Sequence, residues 1–255
     1  MDGEPIPNKN EERPRLRLLL LPGMDGSGDL FSDFLAALPA WVHPQVVRYP
    51  TQVYLSFPEL LQLVRNAIPQ SEPFVLLAES FSTPLAVQLA ANPPANLVGL
   101  VICAGYIRSP IRGLLRLVLS AMAGLLLRLP LPGFAIRRLL VGLSAPPGLV
   151  EGVRNAISSV SPGVLASRLR SVLACDVTTY AARIAVPVLY LQASQDRLVG
   201  ASASHAIRRV KPGVELAIIA GPHLIVQREP LAAANAILPF LERIADSQSN
   251  RGSLT

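Results

Sequence analysis

The chain reads as an α/β protein: a mostly parallel sheet of about six strands flanked by helices. Three observations carry this. Six short apolar runs alternate with helical patterns. The runs lack an in–out alternation, as strands covered on both faces do. After the fourth run the alternation breaks for a long stretch, residues 106–174, with helical patterns of its own. At 255 residues, 51% hydrophobic and 16% charged, the chain can bury one sizeable core and is not a disordered polymer.

Each element follows from local chemistry. Leu16–Leu21 is an apolar run stopped by Pro22-Gly23, and Met24-Asp25-Gly26-Ser27-Gly28 is turn chemistry. Leu30, Phe31, Phe34, Leu35 and Leu38 recur at helical spacing over 29–38. Val46–Tyr49 reads as a short strand ended by Pro50. Over 57–68, Pro58 suits a first helical turn, and Leu60, Leu61, Val64 and Ile68 form one face. Phe74–Ala78 is the next strand, followed almost directly by a helix over 81–91. Leu97–Cys103 is another. The stretch 106–174 is helical, broken by Pro130, Pro132, Gly133, Pro146, Pro147 and Pro162. Val186–Gln192 and Val214–Ile219 are the last strands, with a helix over 201–210 between them and a closing helix over 231–245. The expected organisation is a core of 16–105 and 175–247, an insertion of 106–174, and flexible tails at 1–15 and 248–255.

In open parallel sheets reactive groups gather at the carboxyl ends of the strands. The strand from Phe74 runs into Ala78-Glu79-Ser80-Phe81-Ser82. A serine at such a turn is either a helix N-cap or a nucleophile raised clear of the sheet. Glu79 reads as a flank of that turn or as half of an ion pair with an arginine. Past the strand from Val186 comes Asp196, which is either a turn residue or the acceptor of a histidine Nδ1 proton. Past the last strand, Gly221-Pro222 leads to His223. The other histidines take structural readings: His43 lies before Pro44 at the opposite edge, and His205 lies within a helix. Asp176 falls before its strand instead of after it. The loop at Pro22–Gly26 offers backbone N–H groups near the first strand's end. Cys103 and Cys175 are too few for a disulfide framework or a four-thiolate zinc site and sit in apolar surroundings. Gly26-Ser27-Gly28 lacks the Gly-Lys-Ser/Thr ending of a phosphate loop.

Serine, acid and histidine come in the order Ser80, Asp196, His223, each after a strand. That order and placement resemble the α/β-hydrolase fold superfamily. The likeness spans roughly 16–245 and is carried by LLLLPGMDGSGDLF, AESFSTPLA, QASQDRLV and GPHLIVQREP. It suggests a short esterase-like member, more distantly similar to plastid acyltransferases. The resemblance implies Ser80 as nucleophile, His223 as general base and then acid, Asp196 as orienting carboxylate, and the backbone N–H groups of Met24 and Phe81 as oxyanion hole. Ala78 and Ser82 depart from the glycines usual around the serine. It implies no metal and no organic cofactor, and it makes 106–174 a helical cap, or lid, over the site.

The charge is uneven. Nine arginines (Arg108, Arg112, Arg116, Arg128, Arg137, Arg138, Arg154, Arg168 and Arg170) face Glu151 alone between Ile107 and Ser171, a local net of +8. Arg108, Arg112 and Arg116 are expected on one helix face, while Leu115, Leu119, Met122 and Leu126 line another and form the substrate pocket. The cap then either buries its apolar side on the core or offers an acyl pocket, with arginines toward lipid or anionic surfaces. Nucleic acid is not an expected partner, because few aromatics interleave with the basic residues. The start of the sequence lacks a signal-peptide pattern, so a cytoplasmic location is expected.

The expected function is a serine hydrolase (a carboxylesterase or lipase-like enzyme) cleaving small apolar esters through an acyl-enzyme. An acyltransferase using the same acyl-enzyme is a second expectation. A non-catalytic binder of apolar ligands on the same scaffold is a third.

Overall fold

The computed structural model describes residues 15–252. Its elements in chain order are β1 (Leu16–Leu21), α1 (Ser32–Ala36), β2 (Val42–Val46), α2 (Phe57–Asn66), β3 (Phe74–Glu79), α3 (Thr83–Ala91) and β4 (Leu97–Cys103). The insertion then supplies α4 (Gly113–Leu126), α5 (Gly133–Ile136), α6 (Pro147–Ser158) and α7 (Pro162–Ala174). The chain closes with α8 (Thr178–Ala181), β5 (Val188–Ala193), α9 (Ala201–Val210), β6 (Glu215–Ile219), α10 (Ile225–Arg228) and α11 (Pro230–Gly252). The strands form one sheet in the order β2-β1-β3-β4-β5-β6. Every pairing in it is parallel.

The unbroken leucine run of β1 explains its place inside the sheet. Leu18 and Leu20 pack with Phe34 and Ile237 on one side, while Leu19 and Leu21 pack with Leu60 and Leu85 on the other. Each side chain fully buried in this way contributes about 2 kcal/mol. α2 starts where Ser56 and Glu59 form a reciprocal capping box, and it buries Leu60 and Val64.

Three expectations shift. The second strand is Val42–Val46, not Val46–Tyr49. Pro44 lies inside it, which is tolerated because β2 is an edge strand bonded only to β1. The closing helix runs past Ala245 to Gly252, with the hydroxyls of Ser247 and Ser249 donating to the carbonyls of Arg243 and Ala245. The tails expected at 1–15 and 248–255 otherwise lie outside the described residues. Lastly, Arg108, Arg112 and Arg116 do not share one helix face, because α4 begins only at Gly113, which has φ +62°. Arg108 instead lies in an isolated antiparallel bridge to Asp176. Among the described residues no helix is long and apolar enough to cross a membrane.

Candidate active site

β3 lies between β1 and β4, and a short 3-10 turn, Ser80–Ser82, carries its end into α3. Ser80 is forced to φ +45° there. A non-glycine residue in that region stores roughly 1–2 kcal/mol of strain, which the packed strand and helix must hold. The turn raises the hydroxyl above the sheet's carboxyl edge and places the next N–H, that of Phe81, in the first turn of a helix. Such an N–H has no intrahelical partner. Ala78 and Ser82, the departures from glycine, are both fully buried. The Ser82 hydroxyl donates to the Pro22 carbonyl and meets the Tyr49 hydroxyl at 2.7 Å, so it ties this turn to the loop after β1.

The loops after β5 and β6 bring in two further groups. They are joined by hydrogen bonds from Ser194 N–H to the Ile219 carbonyl (2.9 Å) and from Gln195 N–H to the Gly221 carbonyl (2.8 Å). Ser80 Oγ lies 2.9 Å from His223 Nε2, and His223 Nδ1 lies 2.8 Å from Asp196 Oδ2. The His223 and Asp196 side chains are 5% and 4% exposed. Burial pushes the Asp196 carboxyl up. The His223 hydrogen bond and charge and the N–H groups of Val199 and Leu198 outweigh it and hold the group below the usual carboxylate range. Asp196 is therefore built to stay ionised beside the imidazole. Asp176 is elsewhere, capping α8 through the Thr178 N–H at 3.0 Å. His43 lies in edge strand β2 and His205 is exposed on α9, both away from this chain of hydrogen bonds.

Met24 and Phe81, expected as the oxyanion pair, line the same cavity as Ser80 and His223. Its volume is about 200 Å³. The insertion supplies much of its apolar wall through Leu140, Val153, Leu165 and Leu169. The expected pocket residues Leu115, Leu119, Met122 and Leu126 do not line it. α4 packs on α7 through a narrow face on which only Ala123 is buried, so Leu115 (58%) and Met122 (42%) turn outward. Leu126 borders a neighbouring cavity instead. α4 is apolar nearly all round, so its periodicity does not say which side meets the core. The insertion also grips the histidine loop: the Leu224 N–H donates to the Leu140 carbonyl at 2.9 Å.

Two site-supporting residues escaped the sequence reading. Arg168 was one basic residue among nine, yet it is 1% exposed. From α7 its guanidinium donates to the carbonyls of Met24 (2.8 Å), Asp25 (2.9 Å) and Pro50 (2.7 Å), and it lies 5.8 Å from the ring centroids of Tyr49 and Phe81. It thereby clamps the loop carrying the Met24 N–H. Its signal was its position, since Leu165, Arg168 and Val172 share one helix face and both neighbours are apolar. Gly26 leaves room for this clamp: a Cβ there, at φ +73°, would sit 2.7 Å from Arg168 Nη1. The second residue is Glu79, buried behind Ser80 and in no ion pair among the described residues. Burial pushes its carboxyl up to about 7, offset only in part by Gln227 and the Gly23 N–H. Of the two readings given for Glu79, the structure therefore shows the flank of the turn and not the ion pair with an arginine. Among the described residues no group of three or more His, Cys, Asp or Glu side chains could hold a metal ion.

No family model matches the sequence. A curated relative, the biotin biosynthesis bifunctional protein BioHC of Cellvibrio japonicus, is 26% identical over 240 residues, which is 88% of this chain. The match spans 45% of that protein, so the chain corresponds to about half of its relative's length. Among solved structures, MenH from S. aureus superposes with a TM-score of 0.74 at 17% identity, covering 91% of this chain and 95% of that one. A thermophilic esterase from Thermogutta terrifontis gives 0.74 at 21% identity, with 91% and 92% covered. A lipase-esterase related protein from Clostridium acetobutylicum gives 0.73 at 15%, with 89% and 95% covered. Sheet order, the strand-to-helix turn at Ser80 and these superpositions together show that the chain has the α/β-hydrolase fold.

Proposed function

We propose that this chain is a serine hydrolase that cleaves carboxylic esters of apolar acids through an acyl-enzyme. One observation carries the reading: Ser80 Oγ, His223 and Asp196 form a continuous hydrogen-bonded chain, with distances of 2.9 and 2.8 Å, at the wall of an apolar cavity. The esterase and lipase-esterase names among the structural relatives support the same class.

The chemistry follows from the groups in place. His223 Nε2 accepts the Ser80 proton as Oγ attacks the ester carbonyl carbon. The carbonyl oxygen becomes an oxyanion facing the N–H groups of Met24 and Phe81, whose dipoles are already fixed by the Arg168 clamp and the helix turn. The C–O bond to the alcohol breaks, and the alcohol leaves with the proton from His223. Water then attacks the Ser80 ester, gives a proton to His223 and releases the acid, while the proton returns to Ser80. Asp196 holds the imidazole with Nδ1–H toward itself and Nε2 toward the serine. The insertion acts as a cap whose Leu140, Val153, Leu165 and Leu169 receive the acyl chain.

The test is turnover of p-nitrophenyl esters of increasing chain length. Butyrate is expected to be cleaved faster than acetate, and Ser80→Ala is expected to abolish turnover with the fold intact. Equal turnover by Ser80→Ala would remove the reading.

A further inference from the structure

The apolar surface displaced from the substrate pocket has a consequence of its own. α4 exposes Leu114 (75%), Leu117 (62%) and Leu125 (59%), and the segment after it exposes Leu129 (64%) and Phe134 (74%). At 100° per residue Leu114, Leu117, Val118 and Leu125 lie opposite Ala123, the buried residue of the helix. This is a ridge of large side chains, which an isolated water-soluble surface avoids. Arg112 precedes the helix and Arg128 follows it, both exposed, while Arg116, seven residues before Ala123, lies on the side of the helix away from the ridge. Between residues 106 and 150 the chain contains no acidic residue.

We infer that the outer face of α4, with the turn that follows it, docks on an anionic lipid surface. The helix of 14 residues is too short to span a bilayer but suits one lying in the interface, with leucines in the acyl region and guanidinia reaching phosphate oxygens. Charge selects this occupant over a second copy of the chain, because two such faces would set arginine against arginine with no carboxylate to pair them. Breadth of aliphatic exposure selects it over an acidic protein, whose contact would leave the leucines unmatched. The position also makes chemical sense. A second apolar cavity of about 400 Å³, bordered by Leu126 and Leu129 at the end of α4, shares Met24, Leu140, Ile157, Leu165 and Leu198 with the cavity at Ser80. An acyl chain leaving the lipid would enter beside the docked ridge. The inference deepens the ester-hydrolase reading and rests on it for its purpose, though not for its measurement.

The experiment is flotation of the purified full chain with vesicles of phosphatidylcholine alone or mixed with phosphatidylglycerol. Wild type is expected to float with the mixed vesicles and, at raised salt, to dissociate. The double variant Leu117→Glu/Leu125→Glu is expected to lose binding by at least ~10-fold, with its circular dichroism unchanged because both side chains are solvent-facing. The double variant Arg112→Gln/Arg128→Gln is expected to lose the preference for phosphatidylglycerol. Ser80→Ala should float like wild type, so an inert enzyme that still binds vesicles separates failure of the ester reading from failure of this one. Wild type left at the bottom of the gradient overturns the inference. So does a dimer by light scattering that the leucine variant dissociates without any vesicle binding, and so does retention on polyglutamate resin in place of vesicles.

Discussion

Arg168→Met separates the clamp on the Met24 loop from ordinary core packing. The methionine fills most of the stem's volume but removes three charge-assisted hydrogen bonds, to the carbonyls of Met24, Asp25 and Pro50. At about 1.5 kcal/mol each they amount to about 4–5 kcal/mol. Burial disfavours the guanidinium, as the lowering of its pKa shows, and returns part of that sum. The net loss of stability is expected to be ~3 kcal/mol, read as a shift in urea midpoint at constant slope. In the proposed mechanism the loop that loses its anchor also aims the Met24 N–H at the oxyanion. An oxyanion donor out of place costs kcat about 10²–10³ while leaving ground-state binding nearly untouched. The assay is steady-state hydrolysis of p-nitrophenyl butyrate well below the unfolding midpoint, with kcat and KM resolved. Arg168→Lys should be intermediate, because one ammonium cannot reach all three carbonyls. A destabilised Arg168→Met with wild-type kcat would show that the loop holds its aim without the arginine and would refute the clamp. A fall in KM-dependent binding alone would place Arg168 in the pocket wall instead.

Glu79→Gln should change the pH dependence of stability. A carboxyl raised from 4.5 to about 7 in the folded state binds its proton more tightly there than in the unfolded chain. Its contribution is thus full below pH ~4.5 and is lost as the pH rises to about 7, a change of roughly 3 kcal/mol at ~1.4 kcal/mol per unit. Glutamine should match wild type near pH 4.5 and be more stable at pH 8 in urea titrations; parallel curves would contradict the burial argument. Asp196→Asn should lower kcat by about 10⁴ at neutral pH, because the amide can donate to His223 Nδ1 and so favour the wrong tautomer; a loss below tenfold would count against its orienting role. Gly26→Ala should lose about 2–4 kcal/mol, since its φ of +73° and the 2.7 Å approach to Arg168 Nη1 both oppose a Cβ; an unchanged melting temperature would contradict the packing there.

What the sequence disclosed follows the physics of each segment. β1, β3 and β4 could be read to within a residue because strands buried on both faces leave uninterrupted apolar runs. β2 was misplaced because an edge strand tolerates Pro44, which elsewhere would end it. Ser80, Asp196 and His223 were legible because parallel topology sends every strand's carboxyl end to one edge, so chain order translates into proximity. The insertion was not legible at the same depth. Periodicity shows that a helix has an apolar face but not what that face meets, and α4 is apolar on several sides at once. Leu140, Val153, Leu165 and Leu169 gave no sign of preference over Leu115 or Leu119, because helix packing across 106–174 decides which of them turns inward. Arg168 needed a partner 144 positions away in the chain to reveal itself.

Labelling with a fluorophosphonate probe, followed by mass mapping of the adduct, addresses the proposed nucleophile itself. One adduct per chain is expected, on the peptide containing Ser80, with labelling suppressed in His223→Ala and absent in Ser80→Ala. An adduct on any other serine, or a chain that stays unlabelled while folded, would contradict the account.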